Sequence, residues 1–292
     1  MVISHILGGI GNQMFQFATA RALSLSKGQP LYLDIYDFDG YTLHNGFQLD
    51  SVFDLNVEYA DSILINRTIG FRNQKLIKRL IRRPLLKYFR GKHFVMEPHS
   101  QYWPQITSSP DDCYLYGYWQ SEKYFKAFEN IIRNDFTFRG VLDSQNSALE
   151  DKIRRTSSIS VHIRRGDYIS NSNTSKIMDV CRPAYYEEAI RKIGQQLDAP
   201  HCYIFSDDMQ WVRENLSIPY PVEYVEQNYR KNSYLDMQLM STCKHHVIAN
   251  SSFSWWGAWL NPDPKKIVIA PTKWFVNSNN DYDLLPPTWI RI

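Results

Sequence analysis

No C-x-x-C pair, no basic amino-terminal leader and no apolar run of membrane-spanning length occur in this chain of 292 residues. Each absence excludes a class. Cys113, Cys181, Cys202 and Cys243 stand far apart, which argues against a zinc site and against a small secreted scaffold stapled by disulfides. Reduced, buried thiols in a cytoplasmic protein are the expectation. The start, MVISHILGGIGNQ, lacks the charged first region of a signal peptide. A membrane span needs roughly 20 apolar residues, so any membrane contact is expected to be peripheral.

Acidic residues are missing from one stretch. Between Arg67 and Lys92 lie ten Lys or Arg and no Asp or Glu, so the rest of the chain is net acidic although the total is +3. Within it, Leu76, Ile77, Leu80, Ile81 and Leu85 fall on one helical face, with Lys75, Lys78, Arg79, Arg82 and Arg83 on the other. The preferred reading is a surface helix whose apolar stripe packs on its own domain. The alternatives are a helix lying on an anionic membrane through residues 75–92 and a non-catalytic module whose basic segment contacts nucleic-acid phosphates. Pro84 should kink or end the helix.

What is present fits a soluble α/β protein: 43% hydrophobic, 22% charged and 14% aromatic residues, with 8 Trp and 19 Tyr. Residues 2–7 read as a strand, 8–11 as a glycine turn, 12–27 as a helix closed by Gly28, and 31–33 as the next strand, a βαβ opening. Residues 37–150 have weak periodicity. Beyond 156 the alternation is regular: strands at 159–163, 202–205, 222–225, 246–248 and 267–270, and helices at 183–197, 209–215, 234–242 and 253–260. Strands alternating with helices predict a doubly wound parallel sheet. The polar stretch 150–156 is taken as a domain boundary, giving domains 1–153 and 154–275 and a tail, 276–292, packed across the surface and anchored by Trp274 and Trp289.

Open α/β sheets bind ligands beyond the carboxyl ends of their strands, and three turns of the second domain carry suitable side chains there. After strand 159–163 come Arg164, Arg165 and Gly166, fixed charges with forked donors beside a glycine that lets backbone approach a phosphate. After 202–205 come Asp207 and Asp208, able to accept from guanine N1 and N2, to hold a metal with phosphates, or simply to cap the next helix. After 246–248 comes Asn250-Ser-Ser-Phe-Ser-Trp-Trp, whose Ser251, Ser252 and Phe253 amide suit a phosphate at a helix start; the alternative is ordinary capping, with the tryptophans as core. His162 is either a core histidine or a base or ribose contact. Together these turns predict a nucleoside diphosphate site.

The first βα turn has Gly9-x-Gly11 followed by Asp34, as in a dinucleotide fingerprint, but Met14 stands where the third glycine belongs, so a dehydrogenase is a weak match. What remains is a glycine turn whose free amides suit an anion or a sugar hydroxyl, with Asn12 and Gln13 as added donors. Asn12 as a mere helix cap is the competing reading.

GGIGNQMFQ, HNGF at 44–47, GYWQSEKYF at 117–125, HIRRGDYI, FSDD and NSSFSWWGAWLN, in that order, closely resemble the bacterial α-1,2-fucosyltransferases, glycosyltransferase family 11. The resemblance implies a GT-B-like α/β fold of two Rossmann-like domains facing a cleft, acceptor on the amino-terminal side and GDP-fucose on the other. It implies inverting transfer of L-fucose to the 2-hydroxyl of a terminal galactose, in O-antigen or surface polysaccharide synthesis, without a metal or other cofactor. Arg164 would contact the β-phosphate and Arg165 would support it; His162 with Asp207 or Asp208 would read the guanosine. Asn250, Ser251, Ser252 and the Phe253 amide would line the phosphate cradle, while Gly11 and Asn12 would reach the fucose or acceptor. Asp167 would pin the arginine loop. Glu122, Asp34 and His44 are candidate bases, Glu122 being counted with Arg164 and Asn12 among the catalytic residues, and late proton loss without a defined base is the alternative. Another nucleotide-sugar transferase on the same scaffold is the nearest alternative.

Overall fold

All four residues of the first strand, β1 (Val2–His5), are buried, as a parallel sheet covered on both faces requires. The computed structural model describes residues 1–40, 44–166, 180–276 and 282–292. Two units emerge: Met1–Arg139 with Tyr282–Leu284, and Gly140–Asp281 with Leu285–Ile292.

In the first unit β1 leads through Gly8 into α1 (Ile10–Lys27), which ends at Gly28, whose φ of 61° lets its N–H reach back to the Leu25 carbonyl. β2 (Leu31–Asp34), α2 (Leu49–Val52), β3 (Glu58–Tyr59), α3 (Ser62–Ile69), α4 (Lys75–Ile81), β4 (Phe94–Met96), β5 (Cys113–Tyr116) and α5 (Glu129–Asp135) follow. The strands lie in the order β3-β2-β1-β5-β4, every pair parallel. β2 and β3 extend the sheet on one side of β1, and β5 and β4 on the other, so the segments that follow β1 and β5 leave neighbouring strands side by side.

The second unit runs α6 (Ser144–Arg155), β6 (Ser157–Ile163), α7 (Pro183–Gly194), β7 (Pro200–Ser206), α8 (Met209–Asn215), β8 (Val222–Val225), α9 (Tyr234–Thr242), β9 (His245–Val247), α10 (Ser252–Leu260), β10 (Val268–Ala270) and β11 (Ile290–Arg291). Its sheet is the expected doubly wound one, in the order β11-β10-β9-β6-β7-β8 and parallel throughout. Strand order reverses here between β6 and β9. Ile159, Val161, Ile204, Val247 and Ile269 from the strands pack with Ile190 and Ile193 of α7 in one core, and Trp255, Trp256 and Trp259 are buried, as expected. All four cysteines are free and buried.

Three expectations need adjustment. The division falls between Arg139 and Gly140, not at 153, because α6 is tied into the second unit: Asp143 caps it through the Asn146 N–H at 2.8 Å, and the Asn146 side chain bonds Asn228 and Gln227. The tail adds an edge strand, with β11 pairing to β10 and Ile292 N–H donating to Ala270. Trp289 packs on Trp255 in the same unit, centroids 5.4 Å apart. The basic helix is shorter than its pattern and turned differently. Lys78 points inward to Asp34 at 2.8 Å, while Leu76 and Leu85 are 69% and 92% exposed. Pro84 does end it, opening a 3-10 turn over Pro84–Phe89.

Candidate active site

The arginine turn leaves β6 at the reversal point of the second sheet, and one carboxylate organises it. Asp207, which follows β7, accepts from the backbone N–H of Arg165 at 2.9 Å and of Gly166 at 3.1 Å, and its Oδ2 lies 3.0 Å from Arg164 Nη1. β6 and β7 pair in register through Ile163 and Ser206, so the two strand ends stop level and this bridge is short. Arg165 Nε reaches Asp208 at 3.4 Å, and its guanidinium lies 3.6 Å from the centre of the Trp211 ring, a cation–π contact that fixes its plane. Asp208 also caps α8 by accepting from Trp211 N–H at 3.2 Å. Both aspartates expected to read guanosine are thus engaged in holding the arginines, and the pinning role expected of Asp167 is carried here by Asp207. Asp167 itself lies outside the described residues.

His162, one residue from the end of β6, is 6% exposed with its ring centroid 5.5 Å from that of Phe253. Its Nδ1 has no hydrogen-bond partner among the described residues. Burial, and then the Arg164 charge, push its pKa down to about 4, against a weaker pull from Asp207; the ring is neutral at pH 7.

Beyond β9, Ser251 caps α10, its Oγ accepting from the Phe253 N–H at 3.3 Å. This cap uses the amide expected to hold phosphate. Ser252 and Ser254 also lie in the first turn of α10, where helix geometry leaves backbone N–H groups without an intrahelical partner. Asn250 does not offer itself to a ligand: it is fully buried, its Nδ2 donating to the Trp274 carbonyl at 2.9 Å and its Oδ1 accepting from the Cys181 thiol. Its task is to anchor the loop before α10.

The glycine turn of the first unit is held by Gln13, which the sequence presented as a ligand donor, and by Gln16. Gln13 Nε2 donates to the Gly8 and Gly46 carbonyls at 2.9 and 2.8 Å, and its Oε1 accepts from Gln48 N–H. Gln16 accepts from Leu7 N–H and donates to Gly117. Gly8 sits at φ 81°, where a Cβ would come within 2.9 Å of Asn12 Nδ2. Asn12 is not the cap, since Gly9 occupies that position and Gly11 lies inside the first helical turn. Instead Asn12 Oδ1 accepts from Gln120 Nε2 at 2.8 Å, joining the first turn of α1 to the loop after β5.

The candidate bases part company. Asp34 is completely buried and bonded to Lys78, Tyr114 and the Tyr36 N–H; it serves the core. Burial would raise its carboxyl, but the Lys78 and His5 charges and the hydrogen bonds from Lys78 and Tyr114 outweigh that and lower it. Glu122 is 7% exposed, with Lys126 Nζ 3.4 Å from its Oε2. His44 is exposed, its ring standing where a Cβ on Gly9 would touch it at 3.6 Å. Sequence reasoning missed Glu97, just past β4, which accepts from the N–H groups of Tyr118 and Trp119 at 2.7 and 3.0 Å. Burial raises its pKa to about 7 against the lowering effect of those two bonds. It also missed Trp211. Neither residue belongs to a recognisable motif; the available signal was position, each falling within a few residues of a strand's carboxyl end. A cavity of about 290 Å³ opens beside this turn, lined by Leu7, Gly8, Asp37, Phe38, Arg82 and Tyr116. Asp37 bonds His5 Nε2 at 2.9 Å, and that bond, with the neighbouring cations, draws its pKa down to about 2 despite burial.

Two parallel sheets with helices packed on them define an α/β fold of the GT-B-like class. Residues 2–292 match the family described as glycosyl transferase family 11, and the chain belongs to that family; it is a glycosyltransferase. It is 38% identical to the alpha-1,2-colitosyltransferase of Escherichia coli, covering 100% of this chain and 99% of that protein. To the O-antigen biosynthesis glycosyltransferase WbnK, also of Escherichia coli, it is 32% identical over 99% of each. Among solved structures the alpha-1,6-fucosyltransferase NodZ of Bradyrhizobium, soaked with GDP-fucose, shares the fold at a TM-score of 0.56 and 17% identity, over 89% of this chain and 92% of that one.

Proposed function

We propose that this enzyme transfers L-fucose from GDP-β-L-fucose to the 2-hydroxyl of a terminal galactose, forming an α-1,2 linkage with inversion, in the assembly of an O-antigen or related surface polysaccharide. The observation that carries the reading is the Arg164–Arg165 turn, preset by Asp207 and Trp211 at the reversal point of a family 11 chain. As the bond from the sugar C1 to the phosphate oxygen breaks, negative charge grows on the departing β-phosphate. Guanidinium groups and helix-start amides already aimed there gain strength in the transition state without reorganising. On this reading the arginines supply the charge that a metal would otherwise bring, and no metal is required. Asn12 contacts the transferred sugar or the acceptor, and the Asp37–Arg82–Tyr116 cavity offers acceptor and donor groups suited to galactose hydroxyls.

Calorimetry with GDP and UDP, followed by turnover with GDP-fucose and a panel of galactose-terminated acceptors with and without chelator, tests this directly. GDP should bind and UDP should not, chelator should leave turnover intact, and Arg164→Ala should abolish both GDP binding and turnover while the thermal midpoint holds. Full activity in Arg164→Ala would refute the assignment. The 38% identity to a colitosyltransferase favours one second reading, a donor carrying colitose, which is fucose without one ring hydroxyl. Preference for that donor over GDP-fucose in competition would select it.

A further inference from the structure

The 67–92 segment has apolar side chains on the outside, interleaved with cations that make no ion pair among the described residues. Leu76, Leu85, Tyr88 and Phe89 are 69%, 92%, 84% and 62% exposed, and Lys75, Arg79, Arg83, Lys87 and Lys92 are exposed around them. The segment is not loose chain. Its inward positions are taken by Ile77, Lys78 and Ile81, with Lys78 bonded to buried Asp34 and Ile81 3% exposed. Arg72 Nε donates to the Phe89 carbonyl at 2.6 Å and Arg90 Nε to the Ile81 carbonyl at 2.8 Å, which ties the 3-10 turn of Pro84–Phe89 back onto α4. With the inner face occupied, the outer leucines and aromatics cannot fold back into the core.

We propose that this face docks the enzyme on an anionic lipid surface, with the cations against headgroup phosphates and Leu76, Leu85, Tyr88 and Phe89 entering the headgroup and upper acyl region. Charge complementarity selects the partner: this one stretch is wholly basic while the remainder of the chain is net acidic, so an anionic bilayer attracts this face and repels the rest. The aliphatic members decide between lipid and nucleic acid. Leu76 and Leu85 have no flat face on which a base can stack, whereas both gain by leaving water for acyl chains. No helix among the described residues is long and apolar enough to cross a membrane, so the contact is peripheral.

Co-sedimentation of the full chain with vesicles of phosphatidylcholine alone, and of phosphatidylcholine mixed with phosphatidylglycerol, tests the proposal. Binding should require phosphatidylglycerol and be released by high salt. Lys75→Gln with Arg79→Gln and Arg83→Gln should weaken it on the order of a hundredfold, and Leu85→Gln with Phe89→Gln on the order of tenfold, both at an unchanged thermal midpoint. Should a combined variant melt early, the single changes Arg83→Gln and Leu85→Gln, both at exposed positions, should each weaken binding by a smaller factor. Equal binding to both vesicle types, or to neither, overturns the proposal. So does lipid binding indifferent to the leucine and phenylalanine changes, tighter binding to a single-stranded oligonucleotide, or a dimer in solution that Leu85→Gln dissociates.

Discussion

Adding one methyl group at Gly166 should disable the arginine turn through a single neighbour. A Cβ built there lies 2.8 Å from Asp207 Oδ2 and 3.2 Å from its Cγ, so in Gly166→Ala the carboxylate must move. That carboxylate accepts from two backbone N–H groups and holds Arg164 at 3.0 Å. Net hydrogen bonds to a charged group contribute about 1.5–3 kcal/mol each. Asp207 is 24% exposed, so water replaces part of what is lost, and a total near 2–3 kcal/mol of unfolding free energy is expected. Displacing Arg164 should weaken GDP binding about ten- to a hundredfold, the equivalent of one charge-assisted contact. The decisive assay is a double-mutant cycle, with denaturant unfolding and GDP calorimetry on Gly166→Ala, Asp207→Ala and the pair. With Asp207 truncated the new methyl meets only an ordinary contact, so Gly166→Ala should then add less than about 0.5 kcal/mol. If it is equally damaging in both backgrounds, or harmless in both, Asp207 does not organise the turn and the reasoning fails.

Other consequences can be checked on the same preparations. Asp34→Asn leaves Lys78 as an uncompensated buried cation and should destabilise the fold by about 3–5 kcal/mol, read from denaturant midpoints. His162 binds its proton more weakly folded, near pH 4, than unfolded, near 6.5. Its contribution is therefore complete above about pH 6.5 and is lost as pH falls toward 4, a span worth about 2–4 kcal/mol. His162→Asn should flatten the stability–pH slope in that window, and Arg164→Gln should raise the imidazole midpoint measured by NMR. Asp37→Asn should raise the KM for a galactose acceptor about ten- to a hundredfold while GDP affinity stays as it was; an unchanged KM would remove the acceptor from that cavity.

The sequence showed the second unit well because its two central strands, β6 and β7, have seven residues each and are almost wholly buried. Ile159 to Ile163 is apolar at alternate positions with β-branched side chains, and each following turn carries polar residues at a strand's end. The first unit was harder to read, because β3 and β4 have two and three residues, too few for a period to declare itself. The basic helix misled for a different reason. A helical wheel ranks faces by hydrophobicity, but burial was decided by a partner forty-four positions away, Asp34, which draws Lys78 inward and leaves Leu76 outside. Partnership also separates ligand candidates from scaffolding: Asn250, Gln13 and Asp207 are the polar residues a motif search prizes, and each spends hydrogen bonds inside the protein, Asn250 on the Trp274 carbonyl and Cys181 thiol, Gln13 on the Gly8 and Gly46 carbonyls, and Asp207 on two amides and Arg164.

Among the described residues the two guanidinium groups of the candidate site are matched by two carboxylates, so the unliganded cluster is close to neutral. Nucleotide affinity should then arise from aimed donors more than from excess charge, and Asp208 is the residue that distinguishes the two. Asp208→Asn keeps an oxygen to cap α8, and so keeps Trp211 beneath Arg165, while removing the charge that faces Arg165. GDP binding should strengthen about two- to fivefold at low salt, and its salt dependence should steepen as an unpaired cation enters the site. Asp208→Ala loses the cap as well, a change of about 1 kcal/mol in helix stability, and by releasing Trp211 should weaken GDP binding instead. Calorimetry of the two variants across ionic strength gives opposite signs if Asp208 positions the arginine. Equal and large losses in both would mean that this carboxylate touches the guanine directly, with the charge itself required.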